Sequence, residues 1–354
     1  MPGTKIDTVC AANDPRFAVV RGVEGCPAIL SWSGGVFDTK RDRLIVWGGG
    51  HAAYLGNELY AFDLATQKMT RLNDPGLPLN DCNDAIANGT QAASRHTYDG
   101  IEYMANVDRM FVFGGAIACQ GGGFARGTWT FDFATLQWQR MNPTGPIPAP
   151  RGDAIPYSAY DPNTGLVFVH DNANLFSYDF NTNAYRQLTQ NGSDVGFHSA
   201  ATIDPKRRLF VLVGLNSNTN AGQVITYNIG PGSTFQRQTR STTGGDAIIR
   251  STYPGLEYDP VTDRIVAWNG GNNVLSLNLD SNIWSTQTFA GGPGAASPNQ
   301  GRGTHGRWRY SAKSGVYVLV NGTSQDTFVF RLTDGAGTGV DNTPPAAPVG
   351  FTVR

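Results

Sequence analysis

Titratable and aromatic side chains recur in this chain at matched offsets from one repeated anchor. The anchor is an aromatic residue that in most copies precedes Asp, at Phe37, Tyr103, Tyr160, Tyr258 and Tyr310, with Ile203 in the remaining copy. Five residues before it stand Trp32, Tyr98, Ile155, His198, Tyr253 and His305. Seven or eight residues before it stand Arg95, His96, Arg250 and Arg302, and Arg307 lies three before the last anchor. His51 follows the triple glycine Gly48-Gly49-Gly50, and Tyr157 precedes the third anchor by three. Arg, His and Tyr around one cleft suit β-elimination of a uronate. A guanidinium neutralises the carboxylate by a bidentate, charge-assisted contact. An imidazole or phenolate takes the C5 proton and a phenol or imidazolium protonates the leaving oxygen. The catalytic candidates are therefore His51, His96, Tyr98, Tyr157, His198, Tyr253 and His305. Arg95, Arg250, Arg302 and Arg307 are candidates for holding the substrate's acid groups, and Trp32 for stacking on a sugar ring.

These offsets mean something only if the copies are structural repeats. Six segments read as an anchor, a polar turn, an apolar run ending near glycine, and then an aromatic-Asp strand with a turn to a large apolar residue. FDTKRDRLIVWGGG followed by LYAFDLATQKMTRL is the first, and EYDPVTDRIVAWNGG followed by VLSLNLDSNIWSTQ the fifth. A period near fifty residues with short strands and glycine-rich turns predicts an all-β, six-bladed β-propeller with four-stranded blades. A seventh blade would have to fit within residues 1–26. The sixth copy ends at TFVFRL, so the strand-like Arg16-Phe17-Ala18-Val19-Val20 is expected to complete it and close the ring, leaving no open sheet edge. Asp38, Asp161, Asp204 and Asp259 are expected to start turns rather than to catalyse hydrolysis as paired carboxylates. In this division residues 1–336 form the propeller. Residues 337–354 form a Pro-rich linker running into what reads as the start of a fibronectin type III module.

Charge excludes one class of partner: 27 basic and 28 acidic residues among 354 give a net charge of −1, with no electrostatic footprint for nucleic acid. No apolar stretch reaches the length of a membrane span. The four cysteines, Cys10, Cys26, Cys82 and Cys119, all fall in irregular segments of the N-terminal third. Two disulfides are expected, Cys10–Cys26 with Cys82–Cys119 or one of the two other pairings. With the tail, they favour a monomeric, secreted bacterial protein acting outside the cell, its leader lying beyond this sequence.

The diglycines Gly48-Gly49, Gly114-Gly115 and Gly270-Gly271, with the pairs Phe131/Trp138, Tyr178/Tyr185 and Leu277/Trp284 seven residues apart, resemble kelch repeats across residues 27–332. His170-Asp171, Val213-Gly214 and Val320-Asn321 depart from the diglycine, and His170 is expected to be structural. The resemblance implies the fold and leaves activity open, since kelch propellers include galactose-oxidase-like enzymes, sialic-acid sensors and interaction scaffolds. The His, Tyr and Arg equipment is also similar to that of propeller-fold ulvan lyases, which implies catalytic roles for His51, His96, Tyr98 and Tyr157 and a carboxylate contact for Arg95. That chemistry requires no cofactor, although a structural cation in the channel is compatible with it. Two further readings stand beside the lyase: a non-catalytic propeller that binds glycan or protein, with Trp32, Tyr98, Tyr253 and Trp308 as stacking groups, and a copper-radical carbohydrate oxidase built on Tyr98, Tyr253, His198 and His305.

Overall fold

Short β-strands separated by side-chain-locked turns dominate the chain. In a computed structural model, the structure describes residues 3–80, 82–117, 123–152, 155–296 and 303–333. Five antiparallel sheets have four strands each and the sixth has three among the described residues. The innermost strands are Gly35–Asp38, Ile101–Met104, Tyr157–Tyr160, His198–Asp204, Gly255–Asp259 and Trp308–Ser311. Each packs beside the next in chain order and the last packs beside the first, which closes a six-bladed ring. Carboxylates make the turns as expected. Asp204 accepts from the backbone N–H groups of Lys206 and Arg207, and Asp259 from those of Val261 and Thr262; Asp38 and Asp161 act in the same way.

Each seam between blades carries its own apolar core. Val36, Ile45 and Trp47 of blade 1 meet Tyr103, Met110 and Trp129 of blade 2. Trp138, seven residues after Phe131, packs against it at 5.1 Å, and Tyr185 packs against Tyr178 at 5.0 Å. These are the pairs that marked the repeat, and burying such rings supplies most of the stabilisation of a seam, at about 25 cal/mol per Å² of apolar surface.

The ring is tied shut at its ends, but not by the segment first expected. Arg16–Val20 lies within a 3-10 helix, Pro15–Arg21, and no strand precedes Gly35 among the described residues, so there is no seventh blade there. The cause is local: the Asp14 side chain accepts from Arg16 N–H, and Pro15 fixes the first helical φ. Residues just upstream do the tying. Asp7 N–H donates to Thr323 O of blade 6 at 3.1 Å, Thr327 Oγ1 donates to Thr4 O at 3.0 Å, and Met69 N–H of blade 1 donates to Gly3 O. Asp42 of blade 1 also accepts from Ser311 and Ser314 of blade 6. Cys10 is bonded to Cys26, as expected, and Cys82 is also disulfide-bonded; Cys119 and the region 337–354 lie outside the described residues.

Two seams carry the same ionic latch half a turn apart. Lys40 and Arg41 of blade 1 hold Asp108 of blade 2 at 2.6–2.9 Å, and Tyr103 donates to the same carboxylate at 3.0 Å. Lys206 and Arg207 of blade 4 hold Asp263 of blade 5 at 2.5–2.9 Å, with Tyr258 donating at 3.0 Å. The guanidiniums hold both carboxylates well below the usual range. Replacing Asp108 or Asp263 by Ala should each cost about 1.5–3 kcal/mol in urea unfolding, the range for a part-buried charged hydrogen-bond centre. A loss under about 0.5 kcal/mol from both would mean the latches are ordinary surface pairs.

Candidate functional site at the channel mouth

The loops that lead into the innermost strands converge on one mouth of the channel, called here the leading mouth. Seven of the residues selected from sequence form a single chain of ring contacts there. His51 stacks on His96 with centroids 4.5 Å apart and planes 11° apart. His96 packs on Trp32 at 4.7 Å and edge-on to Tyr98 at 6.0 Å. Tyr98, on blade 2, reaches Tyr253 of the opposite blade 5 at 6.4 Å and His305 at 6.2 Å. Tyr253 in turn touches His305 at 4.4 Å and His198 at 5.1 Å. His96, Tyr98, Tyr253 and His305 are buried, whereas Trp32, His51 and His198 keep partial solvent access. Burial lowers the His198 pKa, which favours the neutral, proton-accepting imidazole.

Backbone geometry sets this cluster. Trp32, Tyr98, Tyr253 and His305, which share one position of the repeat, all have left-handed φ of 44–50°. That is an uncommon conformation for bulky residues, each instance costing on the order of 1–3 kcal/mol. Blade-to-blade hydrogen bonds hold it: Tyr98 N–H donates to Trp32 O at 2.7 Å, and Tyr253 N–H to His198 O at 2.9 Å. His51 reaches His96 because the glycine before it lets two blades touch. Gly50 has φ of 99°, and a Cβ there would stand 2.6 Å from Ala116 O and 2.7 Å from His96 N. His51 N–H then donates to Ile117 O at 3.1 Å.

Other selected residues have different work. Arg95, expected at a substrate carboxylate, is fully buried: it pairs with Asp84 at 2.9 Å, donates to the carbonyls of Ala93, Gly114 and Asp84, and lies over Trp47. Arg307 is also fully buried, donating to Thr304 O and Gly303 O, and burial lowers its pKa to about 9. Tyr157 donates to Gly196 O at 2.7 Å from a fully buried site that pushes its phenol pKa far up, so it braces the loop rather than facing solvent. Arg250 is exposed beside Asp246, and Arg302 lies outside the described residues. His170 is structural as expected, buried with Nε2 2.8 Å from the Tyr227 hydroxyl and its pKa lowered to about 3. Among the described residues no group of three or more His, Cys, Asp or Glu could hold a metal ion.

Sequence reading missed two features. Arg151, in the loop leading into blade 3, is exposed at the rim and pairs with Asp194 at 2.5 Å. In five of the six blades the residue just before the anchor lines the channel: Glu102, Ala159, Thr202, Glu257 and Arg309; in blade 1 the equivalent Val36 lies in the seam with blade 2. The signal was a second register in the same repeat, one residue away from the anchors. Arg309 stretches between Glu102 at 3.4 Å and Glu257 at 3.3 Å on opposite blades, with Nε on the carbonyls of Gly35 and Gly306. Beyond this bar the far end of the channel, the trailing mouth, opens into a cavity of about 350 Å³.

Burial raises the pKa of Asp99 to about 7, of Glu102 to about 8, and also that of Glu257, against the opposing pull of Arg309. At these three carboxyls the native state therefore binds more protons than the unfolded chain between the ordinary carboxylate range and about pH 8, while His170 and His198 act in the opposite sense below about pH 6.5. The carboxyls outnumber the imidazoles, so stability falls as pH rises through that window. The melting temperature of the wild type should drop between about pH 5 and pH 8.5, and Glu102→Gln should flatten the drop. A wild-type melting temperature that is constant or rises over that range would contradict this assignment.

Among solved structures, "Structure of YjhT" aligns at a TM-score of 0.51 and 11% identity, covering 86% of this chain and 98% of that one, a likeness of fold alone. "Crystal structure of Nidogen/Laminin Complex" aligns at a TM-score of 0.48 and 14% identity, covering 75% of this chain and 82% of that one. No curated protein matches the chain. The profile of the KLHDC2/KLHL20/DRC7 Kelch-repeats domain matches residues 24–214, more than half of the 354. With six blades, diglycine strand ends and paired aromatics in register, the chain belongs to the kelch-repeat family.

Proposed function

We propose that the leading mouth binds a uronate-containing polysaccharide and cleaves it by β-elimination, outside the cell. The observation that carries the reading is the contact of His51 with His96 and, through it, with Tyr98, at a mouth where His51, His198 and Trp32 keep solvent access. His51 is suited to take the C5 proton. As the C5–H electrons form the C4–C5 double bond, the C4–O bond breaks and Tyr98 supplies a proton to the departing oxygen. Arg151 and Arg250, both with side chains 62% exposed, replace Arg95 as the groups offered to the sugar carboxylate. Their present partners, Asp194 and Asp246, form surface pairs, which are weak enough to exchange for a substrate carboxylate. Disulfide bonding of Cys10, Cys26 and Cys82 supports an oxidising, extracellular setting.

Binding without turnover is the second reading. It is favoured by the burial of His96 and Tyr98 and by the internal commitments of Arg95, Arg307 and Tyr157. A screen of ulvan, alginate, pectin, glucuronan and glycosaminoglycans, followed by the near-ultraviolet absorbance of unsaturated uronate, separates the two. At least one substrate should give a rise, and His51→Ala and Tyr98→Phe should each lower its rate by about 10²-fold or more while the protein still melts cooperatively. Gly50→Ala should do the same, because the added methyl displaces His51 from His96. Binding with no absorbance change on any of these polymers would favour the glycan-binding reading; neither binding nor turnover would remove both.

A further inference from the structure

The trailing mouth takes no part in the chemistry proposed for the leading one, and it has the composition of a small-molecule site. Its cavity of about 350 Å³ lies within the range of ligand pockets, which are mostly apolar walls with a few converging polar groups. The walls are the anchor aromatics Phe37, Tyr103, Tyr160, Tyr258 and Tyr310. Three of these rings are held by hydrogen bonds made away from the cavity: Tyr103 to Asp108, Tyr258 to Asp263 and Tyr160 to Asn106. The floor is Glu102, Glu257 and Arg309.

We propose that the trailing mouth binds one compact organic cation of the quaternary-ammonium class, its charge over Glu102 and Glu257 and its methyl groups within the ring of anchor aromatics. Two carboxylates face one guanidinium, so the fully ionised floor carries one surplus negative charge. Arg309 meets them at 3.3–3.4 Å, longer than the roughly 2.7–2.9 Å of a tight ion pair, and divides its donors among four blades, so both carboxylates retain acceptor capacity. Fixed aromatic faces over a cationic centre add about 0.5–2 kcal/mol per favourable contact. A permanent cation suits this floor better than a primary amine. In a desolvated site an amine can neutralise a carboxylate by giving up its proton, whereas a quaternary nitrogen has none to give. The groups that govern the floor's charge are Glu102, Glu257, Arg309, the neighbouring Asp99, and Asp259 behind Glu257. Because burial raises Glu102 to about 8, cation binding should tighten as pH rises through that value.

Calorimetric titration of the full chain with choline chloride, and with 3,3-dimethylbutan-1-ol as its neutral isostere, tests the proposal at about pH 9 and about pH 6. Choline should bind at one site at the higher pH, at least tenfold more weakly at the lower, and at least tenfold more tightly than the isostere. Glu102→Gln and Glu257→Gln, which preserve side-chain shape, should each weaken choline at least tenfold, and His51→Ala should leave it unchanged. No saturable binding at millimolar choline, equal binding of the isostere, indifference to both Glu variants, or loss in His51→Ala would each overturn it. Because the probe and the Glu variants do not touch the leading mouth, failure of the elimination assay leaves this outcome independent.

Discussion

Closure of six twisted sheets around one axis is the constraint from which the rest of the molecule follows. Each sheet must bury both faces against its neighbours, so the apolar residues are used up at the seams, and the last seam must join the chain's two ends. Closure also equates position in the repeat with height along the axis. Residues five before each anchor then meet at one end, and Glu102, Glu257 and Arg309, one before their anchors, meet at the waist. The latches of blades 1–2 and 4–5, the facing Tyr98 and Tyr253, and the facing Glu102 and Glu257 add an approximate two-fold relation between the halves of the ring.

How much of this could be read in advance depended on what each signal encodes. Blade number and seam pairing were legible, because diglycines and aromatics seven residues apart are direct consequences of strand length and cross-strand pairing. The convergence of His51, His96, Tyr98, His198, Tyr253 and His305 was legible for the same reason. Offset fixes height, however, not the direction in which a side chain points. Arg95 and His96 are adjacent in one two-residue strand, so they face opposite ways, and the arginine goes inward to Asp84 and Trp47. Arg16–Val20 has the apolar run of a strand, but a capping Asp14 and Pro15 turn it into a 3-10 helix that leaves Val19 57% exposed.

The left-handed backbone at Trp32, Tyr98, Tyr253 and His305 had no signature in residue type, since glycine and asparagine are the residues that normally mark it. Four bulky residues adopt it because tertiary bonds over-determine the loops: each of these residues makes a backbone link to an adjacent blade. The backbone at these four positions is thereby fixed by main-chain bonds between neighbouring blades, and the rings they carry are brought together at the mouth.

Arg309 reaches across the channel. It spans from blade 6 to carboxylates on blades 2 and 5 and to carbonyls on blades 1 and 6, so one guanidinium bridges the bore between its two ends. Occupants of the two vestibules would sit on either side of this guanidinium, so a charge bound in one alters the electrostatic environment of the other.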